Sequence, residues 1–254
     1  MSILFSDLDN TLIYSHNREL SKPKVVIEHL DGREQSFMTQ YTYDFLASAD
    51  WLSIVPVTTR TVKQYTRIEC VKKFFNKYAI VCNGGKLLVD GVEDEEWSKE
   101  TQILAQDSYD CLEDAVNKLS FLCKDETLHR PEKYMCYTKL RHHDPQEVCD
   151  ELSKQVDLSK VDLHVVGKKF YILANAITKG NAIKRFMKRR EKETTLSAGD
   201  GILDISMLDV ADFAFPGSEI FEMVSNKNRL RSEESVMSDG ICKELCDMKE
   251  RGII

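Results

Sequence analysis

The sequence predicts an α/β protein, an open parallel sheet flanked by helices and interrupted by an inserted α+β segment. Three observations carry that expectation. Ile3-Leu4-Phe5 is an apolar run that suits a strand buried on both faces, and it leads straight into Asp7 and Asp9. A succession of short apolar strands and helical spacings recurs at 51–82 and again at 179–215. Between them, residues 86–172 read as αβαββ after an initial strand, an order foreign to alternating parallel units.

The first strand ends at its two acids, and in an open α/β sheet the carboxyl ends of strands face the ligand crevice. Two acids that close repel each other and attract a hard cation such as Mg2+. The plain alternative is an Asp-rich turn, with Asn10 and Thr11 capping the next element. Lys24 to Leu30 and Arg33 to Thr39 flank Asp31-Gly32 and read as a hairpin with a tight turn. Residues 40–50 read as a helix and Trp51 to Thr58 as the second core strand. Thr61 to Phe75 has the spacing of one helix, with Val62, Tyr65, Ile68, Val71, Phe74 and Phe75 toward the sheet. Tyr78 to Cys82 is a short apolar strand stopped by Asn83-Gly84-Gly85, where the second domain is expected to begin.

Within the insertion, Lys86 to Gly91 suggests a strand and turn, and Ser108 to Lys124 an amphipathic helix. Tyr134 to Leu140 alternates as a strand does, and Asp144-Pro145 opens a helix running through Val156. Val161 to Val166 and Lys169 to Leu173 would pair around Gly167-Lys168. The core resumes with a helix from Lys179 to Glu191, strands at Thr194 to Ala198 and Ala211 to Phe215, and a last helix near the end. The expected division is therefore residues 1–84 and 173–254 for the core and 85–172 for the inserted domain.

Composition narrows the function. A net charge of −7 argues against a general nucleic-acid or membrane-surface binder, which needs a basic face. No apolar run approaches a transmembrane length and the first residues lack a signal-peptide pattern, so a cytoplasmic location is expected. The eight cysteines are scattered without a Cys-x-x-Cys pair, which favours reduced thiols over zinc or disulfides.

Four short motifs carry the chemistry. Asp7-Leu8-Asp9-Asn10-Thr11 has the form Asp-x-Asp-x-Thr, and the second strand ends in Thr58-Thr59-Arg60. Thr178-Lys179-Gly180-Asn181-Ala182 follows the insertion, and Gly199-Asp200-Gly201-Ile202-Leu203-Asp204 closes the set as Gly-Asp-x-x-x-Asp. Each also has a bland reading: a threonine after a strand caps a helix well. A lysine in a first helical turn, however, is poorly placed for the helix dipole, which supports a role for Lys179 other than surface charge.

In this order, with a domain-sized insertion between the second and third, the motifs resemble those of the haloacid dehalogenase superfamily. They are most similar to its type IIB phosphatases, the Cof-like and sucrose-phosphatase-like enzymes. The resemblance implies a Rossmann-like core with a type IIB cap and an Mg2+-dependent phosphoric monoester hydrolase. It implies Asp7 as nucleophile, forming an aspartyl-phosphate, and Asp9 as the acid that protonates the leaving oxygen and later activates water. Thr58 would bond a phosphate oxygen and Lys179 would neutralise charge on Asp7 and the phosphate. Asp7, the Asp9 main-chain carbonyl and Asp200 would hold the metal, with Asp204 orienting a metal water or Lys179. Thr59, Arg60 and Asn83 are the substrate-binding candidates.

The chain departs from the family at three places. Thr59 stands where type IIB members commonly have Gly, and Leu203 where most have Asn, which puts the hydrogen bonding beside the metal in question. Type IIB members usually pass more directly from the first motif into a helix, so the hairpin at 24–39 resembles an insertion, beside the site or a plain extension of the sheet edge. Substrate choice belongs to the cap, where Arg130, Arg141, His142, His143, Lys168 and Lys169 are polar candidates that fit solvated loops as well. A small phosphorylated metabolite such as a sugar phosphate is the family expectation. Val55 to Thr61 and Asn83 to Gly91 also resemble bacterial members associated with tellurite-resistance gene clusters, which implies a biosynthetic intermediate such as a phosphoribosyl compound. A phosphomutase would keep the same motifs, and a catalytically silent phospho-ligand binder is the alternative outside enzymes.

Overall fold

The first strand, β1 (Ser2–Ser6), is buried at all five residues in the computed structural model, which describes residues 2–75 and 77–254. After it come β2 (Tyr14–Ser15), the hairpin strands β3 (Lys24–Leu30) and β4 (Arg33–Thr39), α1 (Gln40–Ser48) and β5 (Leu52–Pro56). Two short helices, α2 (Val62–Tyr65) and α3 (Val71–Phe74), lead to β6 (Tyr78–Val81), β7 (Lys86–Val89) and β8 (Val92–Glu93). The insertion holds α4 (Glu95–Ala105), α5 (Tyr109–Leu122), β9 (Leu128–Glu132), β10 (Met135–Lys139), α6 (Pro145–Ser153), β11 (Val161–Val166) and β12 (Lys169–Ala174). The chain closes with α7 (Lys179–Met187), β13 (Thr194–Gly199), α8 (Ile205–Leu208), β14 (Phe213–Pro216) and α9 (Met237–Glu250).

These elements form two units, Met1–Asp94 with Lys179–Ile254, and Glu95–Thr178. The first is built on a parallel sheet in the order β14-β13-β1-β5. The register sets Ser6 beside both Ala198 and Pro56, so the carboxyl ends of three strands stop at one level. Leu4, Ile54 and Leu196 stand side by side across the sheet and are buried, the pattern expected of strands covered on both faces. The second unit carries an antiparallel sheet in the order β11-β12-β10-β9, packed against α5 and α6. Asp144 accepts from the main-chain N–H groups of Gln146 and Glu147 and so caps α6, with Pro145 at its first position.

The hairpin forms as its Asp-Gly turn requires: Asp31 and Gly32 have φ of 51° and 74°, both left-handed, and β3 pairs antiparallel with β4. Three expectations need correction. The unit boundaries lie at 94/95 and 178/179 rather than 84/85 and 172/173. β7 pairs antiparallel with β6 from Tyr78↔Val89 to Val81↔Lys86, which keeps it in the first unit. At the other end, β12 pairs with β11 as far as Ala174, and the Asn175 N–H donates to the Lys160 carbonyl.

The single helix over 61–75 is instead two short ones. Between them the Glu69 N–H donates to the Ile27 carbonyl of β3 at 2.8 Å, so the hairpin takes a backbone group that a continuous helix would use. The side chain of Val71 lies outside the described residues. Finally, α4 and β9 are additional elements. In α4 only Trp97, Thr101 and Ala105 turn inward, too thin an apolar stripe to read, although Glu95 and Glu96 are a usable first-turn signal. β9 contains Pro131, which argues against a strand except at an edge, where it lies. All eight cysteines are free, and no helix among the described residues is long and apolar enough to cross a membrane.

Gly180 packs directly against backbone in the first unit. A Cβ built there would sit 2.1 Å from the Ser206 carbonyl oxygen, and its N–H donates to the Ser206 hydroxyl at 3.1 Å. Alanine normally favours a helix over glycine by roughly 0.5–1 kcal/mol. Here Gly180→Ala is expected to reverse that sign and destabilise by about 1–3 kcal/mol, the usual cost of overpacking, because the obstacle is backbone. Urea denaturation checks this as a lower midpoint for the variant.

Candidate active site

Asp7 is the first residue past β1, and its N–H still donates to the Ala198 carbonyl of β13 at 2.8 Å. That bond continues the sheet by one residue and leaves a buried carboxylate at the strand end. Lys179, at the start of α7, reaches it with Nζ 2.6 Å from Asp7 Oδ1 and also 2.6 Å from Asp204 Oδ1. The lysine is 1% exposed. The other oxygen of Asp204 accepts from the Gly201 N–H at 2.9 Å, so the turn after β13 is tied to the same cluster. Asp200 accepts from the Thr11 hydroxyl at 3.2 Å, which links the first motif to the fourth. Gly199 is needed here because a Cβ would lie 2.4 Å from the Asp204 Cβ.

The electrostatics follow from two buried acids, Asp7 and Asp204, a half-buried one, Asp200, and one buried lysine. Burial pushes the Asp7 carboxyl well above the usual carboxylate range; Lys179 opposes the rise, while Asp204, Asp9 and Asp200 add to it. Burial likewise raises Asp200 to about 6, with Asp204 adding. For Lys179 burial disfavours the charge, but Asp204 and Asp7 outweigh it and hold the ammonium form. The cluster thus carries more negative charge than one lysine balances. One carboxylate oxygen from each of Asp7, Asp200 and Asp204 lies within 4.8 Å of the others. Hard oxygen donors in uncompensated excess suit a hard divalent cation and suit softer metals poorly.

The second motif sits on the neighbouring strand end. Val57 donates to the Ser6 carbonyl at 2.8 Å, and Thr58 follows, fully buried, with its hydroxyl accepting from the Arg60 N–H at 3.1 Å. Asn83 has a left-handed φ of 58° and donates its N–H to the Thr58 carbonyl at 3.0 Å, so the Asn-Gly-Gly turn and the second motif are joined. Thr59 is half-buried at the same turn and makes no side-chain hydrogen bond among the described residues. Arg60 turns to the first motif: Nε and Nη2 each lie 2.8 Å from an Asp9 carboxylate oxygen.

The structure therefore brings Asp7, Lys179, Asp200 and Asp204 together, and pairs Arg60 with Asp9. The carboxylate of Asp9 is 47% exposed and is not among the three clustered carboxylates. Sequence reasoning missed Thr11 as a partner of Asp200, although the Asp-x-Asp-x-Thr pattern contains it. It also missed Glu28, the fully buried carboxylate on β3 that binds Arg60. No local signal marks that residue, since a strand reading Val-Val-Ile-Glu-His-Leu does not say which face is inward.

A family model described as sucrose-6F-phosphate phosphohydrolase matches residues 1–215. No match is found among curated proteins. Among solved structures, the sucrose-phosphatase of Synechocystis sp. PCC6803, in complex with sucrose and phosphate, is 15% identical, with a TM-score of 0.63 over 97% of each chain. The haloacid dehalogenase subclass IIB sugar phosphatase BT4131 is 15% identical, with a TM-score of 0.64 over 100% of each chain. BT1666 from Bacteroides thetaiotaomicron, a phosphatase of the same superfamily, is 15% identical, with a TM-score of 0.55 over 100% of this chain and 96% of its own. At such identities the likeness is one of fold, the α/β core with an inserted α+β unit.

Proposed function

The chain belongs to the sucrose-6F-phosphate phosphohydrolase family and is a phosphoric monoester hydrolase of haloacid dehalogenase type IIB, and from that premise we propose that it hydrolyses a small sugar phosphate through a phosphorylated Asp7. The observation that carries this reading is the buried carboxylate at the end of β1, held by Lys179 and crowded by Asp200 and Asp204. The substrate class is supported by the family description and by the sucrose and phosphate bound in the Synechocystis relative.

One oxygen of Asp7 attacks phosphorus while the bond to the sugar oxygen breaks, and Asp9, entering the step protonated on a lone pair that the Arg60 fork leaves open, gives the sugar oxygen that proton. Asp9, now a carboxylate, takes a proton from water as the water oxygen attacks phosphorus, which frees phosphate and restores Asp7. Lys179 holds the attacking carboxylate in place and offsets charge on the phosphoryl group as a compact cation. The Thr58 hydroxyl is offered to a phosphate oxygen. Asp7 and Asp200, with Asp204 beside them, would hold Mg2+, which when bound supplies charge neutralisation on the transferring oxygens.

The test is phosphate release from a panel of sugar phosphates, with Mg2+ and then with a chelator. Release that stops on chelation and returns with Mg2+ is expected. Hexose phosphate isomerisation without release from any monoester would indicate a mutase instead. Asp9→Asn is expected to lose roughly 10²–10⁴-fold in rate, the usual span for general acid–base catalysis. Rapid quench of that variant with labelled substrate should trap phosphate on Asp7, because water is then activated poorly. Total loss with no trapped phosphate would refute the assigned role of Asp9.

A further inference from the structure

The hairpin of β3 and β4 carries a fully buried carboxylate, Glu28. Ile27 and Glu28 are both buried although neighbours in a strand normally face opposite sides. The pairing of β3 with β4 is irregular on both sides of Glu28, between Val26 and Glu28 and between Glu28 and His29. Such a bulge re-aims one side chain, and here it turns Glu28 inward to 0% exposure. The buried charge is fully engaged. Ser36 donates to Oε2 at 2.7 Å, Arg67 Nε to Oε1 at 3.1 Å, and Arg60 Nη1 to Oε2 at 2.9 Å.

Arg67 and Ser36 would be enough to fasten a hairpin to the core. The third partner is different, because Arg60 spends its remaining edge on Asp9, with Nε and Nη2 each 2.8 Å from one carboxylate oxygen. A guanidinium is a rigid planar fork, so fixing Nη1 fixes the plane in which Nε and Nη2 point. Glu28 on Nη1, helped by the Gln64 carbonyl at 3.3 Å, therefore sets the direction in which the half-exposed Asp9 carboxyl is held. Arg60 itself is 10% exposed and has little room to turn.

We propose that Glu28 is a positioning residue of the reaction, acting through Arg60 to hold the Asp9 carboxyl toward the leaving oxygen. This rests on the reading of Asp9 as general acid. It gives the hairpin a role in catalysis rather than at the sheet edge alone, and it assigns Arg60 to positioning rather than to substrate.

The experiment compares kcat/KM for phenyl phosphate, whose leaving group needs a proton, with that for 4-nitrophenyl phosphate, whose leaving group needs little help. For Glu28→Gln, phenyl phosphate is expected to lose about 10–100-fold, part of the general-acid contribution, and 4-nitrophenyl phosphate less than about threefold. In an Asp9→Asn background the same substitution should cost nothing further, since two residues acting through one step are not additive. Arg67→Gln, at a partly exposed partner of Glu28, should give the same leaving-group pattern more weakly, and serves should Glu28→Gln fail to fold. Equal losses on both substrates, or a full further loss in the double variant, would make Glu28 merely structural and overturn the proposal. Phosphate release by wild type with Glu28→Gln unchanged overturns this proposal alone. No release by wild type from any monoester overturns it together with the phosphatase reading.

Discussion

Asp7→Asn is expected to abolish phosphate release, by at least roughly 10⁴-fold, the scale on which loss of a covalent nucleophile is felt. An amide oxygen is a poor nucleophile toward phosphorus and an amide cannot give the acyl phosphate. The fold should survive, because asparagine is isosteric and its oxygen can still accept from Lys179, 2.6 Å away in the parent. One negative charge also leaves a cluster that holds too many. The check is a phosphate assay beside a thermal melt, with rapid quench of labelled substrate to look for phosphoprotein. A melt close to wild type with neither turnover nor trapped label is the expected result. Near-normal turnover would remove Asp7 from the mechanism.

Lys179→Met should be less damaging to rate than Asp7→Asn and much more damaging to stability. The lysine's side chain is 2% exposed and it bonds carboxylates that are 9% and 4% exposed. Its loss leaves Asp7 and Asp204 buried without their cation. Breaking a buried pair by removing one partner costs roughly 3–5 kcal/mol, most of it the penalty of the stranded charge. Methionine fills the volume, so a cavity contributes little. Activity is expected to fall by about 10²–10³-fold or more, as when a preorganised charge aimed at the transition state is lost. Thermal denaturation with and without Mg2+ gives a second readout: added cation should narrow the gap between variant and wild type, since it supplies charge at the same carboxylates. A melt unchanged from wild type would mean that the pairing seen here contributes little to holding the site.

Much of the site was legible because it lies at strand ends. The apolar run before Asp7 places that residue at the carboxyl edge of the sheet, and the resemblance to the family motifs marked Thr58 and Asp200, which the register sets one residue beyond the level of Asp7. Lys179 was legible from a different conflict, a cation where a helix favours an acid, and the structure resolves it with two carboxylates at 2.6 Å. Asp204 was legible only through the resemblance of Gly199 to Asp204 to the family pattern, and one turn of 3₁₀ helix delivers it to the lysine.

The sequence by itself determined the local facts: the strands of the parallel sheet, the Asp-Gly hairpin turn with both residues left-handed, the capped helix at Asp144, and the order of the motifs. Each depends on φ/ψ preference or on apolar period within a window of a few residues, and those preferences act before any distant contact forms. Tertiary structure alone decided that Glu28 turns inward and Arg60 reaches back to Asp9. It alone decided that 61–75 breaks where Glu69 meets Ile27, and that β7 stays with the first unit. In each of these the deciding partner is a backbone group or a charge contributed by another element. A buried charge or an unpaired N–H is costly enough to override local preference, and the partner that removes the cost is invisible to a local window.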